Sequence, residues 1–304
     1  MSKKVVRVKV PATTANLGAG FDTFGLALTL YNEFEVEEAD GVYIESYPKN
    51  EFIENPENNL FIKVVKYLCE AEGRTFHGAR LKQTVNIPVA RGLGSSATAI
   101  VAGILTGFAV HKKPLTDEEF FKVAYLFEPH PDNLLPALKG GFITALKTEN
   151  KTYYSKMDFP EEIKAVVVIP DFELSTEKAR SVLPAQVPLK DAVFNLQRSA
   201  LFIRALQEKR YDLLKTAMED RLHQPYRKNL IPNFDKVINN AYENGALGAC
   251  LSGAGSTILA LATENFDKIG LSMVEAFKEV SINAQYKVLE VDTQGAKVEI
   301  FEKE

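Results

Sequence analysis

The sequence contains only two cysteines, and nothing in it suggests that they are paired. Cys69 and Cys250 each lie in an apolar stretch, which is typical of small buried side chains in a reducing compartment. No apolar run approaches the roughly 18 residues of a membrane-spanning helix. The first residues alternate like a strand and lack the apolar core of a signal peptide. We therefore expect a cytoplasmic protein that has no disulfide framework and no membrane partner.

The sequence also lacks an excess of positive charge. Its 36 lysine and arginine residues are outnumbered by 40 aspartate and glutamate residues, so the net charge is −4. Proteins that grip a polyanion over a wide face carry a basic patch, and RNA-binding faces interleave such a patch with aromatic side chains. Neither pattern is present, and we expect no nucleic-acid partner. The 304 residues leave room for two modest domains, each with a buried core.

The most informative segment is a glycine-containing loop, Pro88-Val-Ala-Arg-Gly-Leu-Gly-Ser-Ser-Ala-Thr98. Gly92 and Gly94 permit close approach of a ligand to the backbone, and the two serines that follow stand where an apolar helix begins. The N-terminus of a helix attracts anions, and a serine hydroxyl suits Mg²⁺. The loop is neither a Walker A loop nor a GxGxxG fingerprint. Taken alone, it could equally be a glycine turn followed by a serine helix cap.

Two further glycine-containing segments accompany this loop. Near the N-terminus, Pro11-Ala-Thr-Thr-Ala-Asn-Leu-Gly-Ala-Gly-Phe-Asp-Thr-Phe-Gly25 carries Asn16 and Asp22 on a loop that follows a strand. Near the C-terminus, Gly248-Ala-Cys-Leu-Ser-Gly-Ala-Gly-Ser-Thr257 predicts a hairpin with a tight glycine turn. Either segment alone would be an ordinary polar turn. Together with the loop at 88–98, they favour phosphate binding.

The order of predicted elements mixes hairpins with helices, which favours the α+β class. The first part has strands at 3–10, 33–47 (broken at 39–41) and 78–86, helices at 58–72 and 95–110, a helix from the capping box Thr116/Glu119 to about Phe127, a loop from His130 to Pro136, and a strand after Gly141. The second part has a strand from Lys164, helices at 175–183, 189–206, 210–221, 232–244 and 265–279, and strands at 247–252, 256–262, 284–292 and 297–302. We predict two domains, residues 1–160 and 161–304.

The three glycine-containing segments resemble motifs of one superfamily, that of galactokinase, homoserine kinase, mevalonate kinase and phosphomevalonate kinase (GHMP). The loop at 88–98 is similar to its Pro-x-x-x-Gly-Leu-Gly-Ser-Ser signature, and residues 248–257 are similar to its C-terminal glycine motif. The likeness runs over essentially the whole chain. Within the superfamily the chain looks like the homoserine kinases, on the segments Val10–Leu28, Glu128–Ala137, Ser175–Arg180 and His223–Arg227.

This resemblance implies a fold, a reaction and a nucleotide site. The fold would be an N-terminal α+β nucleotide domain with a left-handed βαβ crossover, joined to a ferredoxin-like C-terminal domain. The reaction would transfer the γ-phosphoryl of ATP, with Mg²⁺, to the hydroxyl of L-homoserine, a step of threonine biosynthesis. Asn59 would contact the adenine edge, and Ser96 with Glu128 would ligate the metal. The other implied ATP contacts are Pro88, Val89, Ala90, Arg91, Gly92, Leu93, Gly94, Ser95, Ser96, Ala97, Thr98, Gly253 and Gly255.

The resemblance also implies the residues that bind the amino acid. Asn16 would orient the hydroxyl, while Arg180 and Arg227 would form forked contacts to the carboxylate, a geometry that suits guanidinium. The remaining contacts, mostly around the amino end, would come from Asp22, His130, Asp132 and Thr176.

The implied catalytic residues are Asn16, Asp22 and Asn133. Asn133 stands where relatives such as mevalonate kinase place an aspartate base, and an amide cannot accept the proton usefully. We therefore expect direct attack by the hydroxyl, with Asp22 as a general base being the lesser alternative. One departure from the family concerns the metal site: Pro129 replaces the usual glycine after Glu128, and proline fixes φ and removes an N–H donor.

Two other functions fit part of the pattern. A kinase of the same superfamily for mevalonate or shikimate would have no ammonium group to meet Asp22 and Asp132. A regulatory nucleotide-binding protein without catalysis would be expected to lose Ser96 or Glu128, and both are present. The oligomeric state is open at this stage, with a homodimer as one option.

Overall fold

The structure is a computed structural model that describes residues 3–303. Its strands are β1 (Lys3–Ala15), β2 (Phe24–Glu38), β3 (Gly41–Tyr47), β4 (Gly78–Val85), β5 (Phe142–Lys147), β6 (Thr152–Met157), β7 (Lys164–Pro170), β8 (Gly248–Leu251), β9 (Ile258–Ala262), β10 (Ala284–Leu289) and β11 (Lys297–Lys303). Its helices are α1 (Glu51–Glu54), α2 (Leu60–Ala71), α3 (Ser95–Val110), α4 (Asp117–Ala124), α5 (Pro131–Lys139), α6 (Thr176–Ser181), α7 (Leu189–Gln207), α8 (Leu214–Ala217), α9 (Gln224–Arg227), α10 (Phe234–Glu243) and α11 (Phe266–Lys278), with 3-10 turns at Tyr211–Leu213 and Lys228–Leu230.

The first sheet has seven strands in the order β11-β1-β2-β4-β3, and β5 pairs with the start of β2 and with β6. β3 and β4 are parallel neighbours connected through α1 and α2, whereas the other pairs are antiparallel. Buried apolar side chains of β1, β2 and β4 form one core with α2, α3, α4 and α5. This packing fixes the N-terminus of α3 close to the C-terminal end of β1.

The second sheet has four antiparallel strands in the order β10-β7-β9-β8. One face packs against α10 and α11, and the other shares a core with α7, α8 and residues of the first sheet. The strand β7 lies between these two cores, and this explains why its sequence Lys-Ala-Val-Val-Val-Ile-Pro is an unbroken apolar run rather than an alternating one. Strand order and helix placement are those of the ferredoxin-like domain that the resemblance implied.

Most of the predicted elements are found, and the α+β class is confirmed. The capping box is present: the Thr116 hydroxyl accepts from the Glu119 backbone N–H, and the Glu119 carboxylate accepts from the Thr116 N–H. The loop predicted from His130 to Pro136 is wrong, because this segment forms α5. Pro131 occupies the first turn of that helix, where a missing N–H costs no hydrogen bond. The helix predicted at 210–221 is also wrong, because only two short turns form and the chain leaves helical geometry after Ala217.

The last strand returns to the first sheet. β11 pairs antiparallel with β1, with Val5 opposite Phe301. The first sheet therefore takes strands from both of the segments, 1–160 and 161–304, that the sequence predicted as domains. Across residues 3–303, no helix combines the length and the apolar character needed to cross a membrane.

Candidate active site

A cleft of about 730 Å³, including its open mouth, lies where the three glycine-containing segments meet. Its walls come from the loop after β1, the loop before α3, the start of α5, the helices α6 and α9, and the turn between β8 and β9. The predicted residues that line it are Asn16, Asp22, Ala90, Arg91, Gly92, Gly94, Ser95, Ser96, Ala97, Glu128, His130, Asp132, Asn133, Thr176, Arg180, Arg227, Gly253 and Gly255. Ala15 and Ala254, which belong to two of the glycine-containing segments, also line it, as does Leu174, which lies outside the sequence motifs.

The loop before α3 has a shape that requires glycine at two positions. Gly92 and Gly94 have φ angles of +77° and +72°, and a Cβ on Gly94 would lie 2.0 Å from the Thr13 Oγ1. A Cβ on Gly92 would lie 2.2 Å from the Ser252 carbonyl oxygen. Leu93 is buried between them, and its carbonyl accepts from the Thr13 N–H at 3.1 Å. The loop is therefore clamped between the first and the third glycine-containing segments.

The N-terminus of α3 is left open towards the cleft. The residue that caps it is Gly94, which has no side chain to accept from the N–H groups of the first turn. The serines are not caps, contrary to the simpler interpretation of the sequence: across residues 3–303 no hydrogen bond involves the hydroxyl of Ser95 or Ser96. Unpaired N–H groups, free hydroxyls and the positive end of the helix dipole are together suited to an anion.

Several predicted nucleotide contacts lie behind this surface. Thr98 is buried and its hydroxyl donates to the Ser95 carbonyl at 2.7 Å, so it supports the loop rather than facing the cleft. Pro88 and Val89 are not among the residues that line the cleft, which begin in this loop at Ala90. Asn59 is the N-cap of α2: its side-chain oxygen accepts from the Ile62 N–H, and its amide N–H donates to the Ile53 carbonyl. Asn59 is outside the cleft, and its contact with adenine stays a prediction.

Asn16 connects the loop after β1 to the turn between β8 and β9. Its side-chain amide donates to the Gly253 carbonyl at 3.0 Å, and its oxygen accepts from the Asp22 backbone N–H at 3.0 Å. On the opposite wall, the Asn133 amide oxygen accepts from the Thr13 hydroxyl at 2.8 Å. Both asparagines are thus held in place from the protein side while they line the cleft.

Two carboxylates of the cleft, those of Asp22 and Asp132, influence each other, and within residues 3–303 only Asp22 forms an ion pair. Asp22 forms a forked ion pair with Arg180, with oxygen–nitrogen distances of 2.7 and 3.3 Å. Asp132 is buried, and its recorded hydrogen bond comes from the Asn133 amide at 3.3 Å. Burial, and then the negative charge of Asp22, raise the pKa of Asp132 to about 7. Asp132 therefore favours a nearby cation that would stabilise its charged form.

The second arginine of the site, Arg227, is buried to 2% exposure. Its Nε donates to the Ala179 carbonyl and its Nη1 to the Gly253 carbonyl, each at 3.1 Å. Within residues 3–303 its Nη2 has no hydrogen-bond partner and the guanidinium has no ion pair. Burial, and then repulsion from Arg180, lower the pKa of Arg227 to about 10, so it stays charged at neutral pH. A buried cation that keeps free N–H groups towards a cleft is suited to bind an anionic group.

The histidine loop brings the Glu128 carboxylate into the same cleft as the N-terminus of α3. The Glu128 Oε1 accepts from the His130 backbone N–H at 3.2 Å and lies 2.9 Å from the His130 Nδ1. Pro129 is exposed, and the Glu128 carboxylate still lines the cleft. Residues 3–303 contain no cluster of three or more histidine, cysteine, aspartate or glutamate side chains that could hold a metal ion.

Comparison with known proteins places this arrangement in a family. Residues 59–141 match the family described as GHMP kinases N terminal domain, and residues 202–279 match GHMP kinases C terminal. A homoserine kinase of Persephonella marina is 69% identical over 299 residues, 98% of this chain and 100% of the relative. One of Aquifex aeolicus is 50% identical over 297 residues, 97% of this chain and 99% of the relative.

A solved structure extends the likeness to three dimensions. The crystal structure of homoserine kinase from Cytophaga hutchinsonii superposes with a TM-score of 0.86 at 30% identity, covering 97% of this chain and 97% of that chain. The glycine loop, the histidine loop and the two-sheet architecture thus occur in a chain that belongs to the GHMP kinase family and, within it, to the homoserine kinases.

Proposed function

We propose that this chain transfers the γ-phosphoryl of ATP to the side-chain hydroxyl of L-homoserine, giving O-phospho-L-homoserine and ADP. The observation that carries the proposal is that one cleft combines the open N-terminus of α3 with the carboxylates of Asp22 and Asp132 and the guanidiniums of Arg180 and Arg227. The helix terminus suits phosphates, and the opposite charges suit an amino-acid zwitterion. Full-length likeness to homoserine kinases supports the same substrate.

The substrate carboxylate is bound by the two arginines. Among the residues that the structure describes, the Nη2 of Arg227 and the buried Nε of Arg180 have no hydrogen-bond partner, and both are available to the substrate. Each guanidinium has its remaining groups held by protein acceptors, so both cations are oriented before the substrate arrives. Orientation in advance lowers the entropy cost of binding.

The substrate ammonium group is bound by the carboxylates. Asp132 is buried, and within residues 3–303 it forms no ion pair, whereas Asp22 pairs with Arg180. The negative charge of Asp22 raises the pKa of Asp132. An ammonium group beside Asp132 relieves the repulsion between the two carboxylates. Mevalonate and shikimate carry no such cation, and for them the desolvated Asp132 would remain uncompensated.

The reacting hydroxyl is oriented by Asn16 and Asn133. In the transfer, a bond forms between the hydroxyl oxygen and the γ-phosphorus, and the bond from the γ-phosphorus to the β–γ bridging oxygen breaks. Neither asparagine can take up the hydroxyl proton, and both oxygens of Asp22 already accept from Arg180. We therefore favour direct attack, with the proton leaving through the phosphate oxygens or solvent, over Asp22 as base. Alignment and charge neutralisation are the main requirements of this reaction.

Mg²⁺ fits the oxygen atoms that this cleft offers. The Ser96 hydroxyl has no protein partner within residues 3–303, and the recorded contacts of Glu128 use only its Oε1. Both are hard oxygen donors beside the phosphate-binding helix terminus, and two protein ligands leave the other positions of the ion to phosphate oxygens and water. Bound there, the ion would neutralise charge on the transferring phosphoryl group.

The homodimer also stays a prediction. One face of α7 exposes Leu189, Val193 and Leu196, which follow one another at helical spacing. A second copy could cover this stripe, and sedimentation velocity would distinguish a mass near 33.8 kDa from its double. A cytoplasmic location likewise stays an expectation from the sequence.

The substrate prediction is tested by a panel of alcohols with ATP and Mg²⁺. ADP release should be at least about a hundredfold more efficient, as kcat/KM, with L-homoserine than with mevalonate, shikimate or galactose, since only homoserine pairs both sets of charges. Homoserinol, which lacks the carboxylate, should also be a poor substrate. Equal or higher efficiency with mevalonate would contradict the amino-acid assignment.

The metal ligands are tested by Ser96→Ala and Glu128→Gln. Loss of either oxygen should lower kcat by about tenfold or more at limiting Mg²⁺, and excess Mg²⁺ should restore part of the activity. Ser155→Ala and Glu149→Gln, at exposed positions outside the cleft, are the matched controls. A wild-type Mg²⁺ requirement in both site variants would show that the ion is bound elsewhere.

The role of Asp132 predicts a pH dependence. Its pKa of about 7 in the free protein means that the carboxylate is ionised at pH 8 and increasingly protonated below pH 7. An ammonium group favours the ionised form, so substrate binding must release a proton at low pH. KM for homoserine should rise as the pH falls from 8 to 6, by up to about tenfold per unit below the pKa.

Asp132→Asn provides the control for this profile. The variant should have a raised KM for homoserine at pH 8 and a flat KM from pH 6 to 8, because the titrating group is gone. KM for ATP should change little in either protein. If the slope persisted in Asp132→Asn, another group would be responsible.

A further inference from the structure

A chain of buried polar side chains lies behind Arg227, and the mechanism so far makes no use of it. His223 and Asp220 have fully buried side chains, and Asn195 is 3% exposed. The sequence indicated only that His223 belongs to the motif His223-Gln-Pro-Tyr-Arg227. The spacing of four residues, which places the histidine one helical turn before the arginine, was the available signal.

The imidazole of His223 presents a lone pair to Arg227. Its Nε2 lies 2.9 Å from the Gly18 carbonyl oxygen, which can only accept, so Nε2 carries the hydrogen. Nδ1 then bears the lone pair, and it lies 3.4 Å from the Arg227 Nη1. Burial, together with the positive charge of Arg227, lowers the pKa of His223 and outweighs the opposing effects of Asp220, the Gly18 carbonyl and Asp22, which favours the neutral ring.

Because the His223 ring is neutral, it does not cancel the positive charge of Arg227. The groups that hold Arg227 are two carbonyls and one neutral imidazole, and within residues 3–303 no carboxylate forms an ion pair with it. These acceptors fix the direction of the guanidinium without neutralising its charge, and the carboxylates of Asp22, Asp220 and Asp132 act on that charge only at longer range. Arg180 differs, because its charge is paired with Asp22 within the protein.

Asp220 holds the segment that carries both His223 and Arg227. Its carboxylate accepts from three successive backbone N–H groups at the start of α9, those of Leu222, His223 and Gln224, at 2.9, 2.9 and 2.6 Å. It thereby satisfies N–H groups that the short helix leaves unpaired. The direction of α9 depends on these three hydrogen bonds, and so does the position of the Arg227 backbone, from which its side chain extends.

Asn195 joins this segment to the first loop. Its amide donates to the Asp220 carboxylate at 2.7 Å and to the Ala19 carbonyl at 3.2 Å, and its oxygen accepts from the Arg221 N–H. His223 contacts the Gly18 carbonyl and Asn195 contacts the Ala19 carbonyl. These two carbonyls are adjacent in the loop that carries Asn16 and Asp22, so His223 and Asn195 together hold that loop.

We propose that His223, supported by Asp220 and Asn195, is a positioning residue that turns the free N–H groups of Arg227 towards the substrate and thereby sets the preference for an alcohol that carries a carboxylate. The inference rests on the proposed function. Phe21 adds a nonpolar wall to the arrangement: its ring stacks on His223 at 5.1 Å, and the guanidiniums of Arg227 and Arg180 lie 5.3 and 5.6 Å from its centre.

Two substitutions at His223 separate its two contacts. In His223→Gln, the side-chain N–H can replace Nε2 at the Gly18 carbonyl, and the acceptor for Arg227 is lost. In His223→Asn, the side-chain oxygen can replace Nδ1 towards Arg227, and the contact to Gly18 is lost. The measurement is kcat/KM for homoserine divided by kcat/KM for homoserinol, in both variants and in wild type.

The proposal predicts that His223→Gln lowers this ratio by about tenfold, through KM for homoserine, since a hydrogen bond to a charged group is lost. His223→Asn should keep the ratio within about threefold of wild type. His111→Gln, at the far end of α3, is the matched control and should leave the ratio unchanged. An unchanged ratio in His223→Gln, or an equal loss in both variants, would overturn the proposal.

A measurement on the unmodified protein covers the case in which a variant does not fold. Nitrogen-15 NMR of labelled histidine reports the tautomer of each of the four histidines, which are assigned by elimination with variants at the other three. At pH 7 to 8, His223 should be neutral with hydrogen on Nε2. A protonated ring, or hydrogen on Nδ1, would direct an N–H at the guanidinium and overturn the proposal. Because this test uses no substrate, its failure is distinct from failure of wild type to prefer homoserine.

Discussion

The buried charge of Arg227 is the constraint around which the rest of the site is arranged. A guanidinium that is 2% exposed and bonded only to neutral acceptors is costly to place in a protein interior. The free-energy cost of burying the guanidinium is reduced because α6, α9 and the turn after β8 supply hydrogen-bond acceptors for Nε and Nη1. The Nη2 group remains available to a ligand. Under the proposed function, a substrate carboxylate would complete the charge pairing, so that binding of the substrate and neutralisation of Arg227 would be the same event.

At the end of the cleft formed by the N-terminus of α3, hydrogen-bond donors are also left unpaired, but there they are backbone N–H groups instead of a side chain. Gly94 ends the loop without offering an acceptor, so the first N–H groups of α3 and two serine hydroxyls remain available. The two ends are held in register because Asn16 bonds to Gly253 and Ser252 bonds to the Gly92 carbonyl. Phosphoryl transfer requires such alignment more than it requires a strong base.

The sequence predicted the parts of this site that lie in local motifs. The three glycine-containing segments do meet in one cleft, and the serines do begin α3. The prediction of a loop from His130 to Pro136 is wrong, because Pro131 stands in the first turn of α5, where proline is tolerated, and Pro136 lies within the same helix. His223 and Asn195 were missed because their partners lie far along the chain: 205 residues separate His223 from Gly18, and 176 separate Asn195 from Ala19. No local pattern predicts which buried polar groups meet across such distances.

The most direct test of the account is a crystal structure of the protein with L-homoserine bound. The account predicts the substrate carboxylate within about 3 Å of the Arg227 Nη2 and the ammonium group at a similar distance from Asp132. The contacts of Arg227 with Ala179, Gly253 and His223 should remain as they are in the free protein. A carboxylate bound away from Arg227, with Nη2 still unpaired, would contradict it.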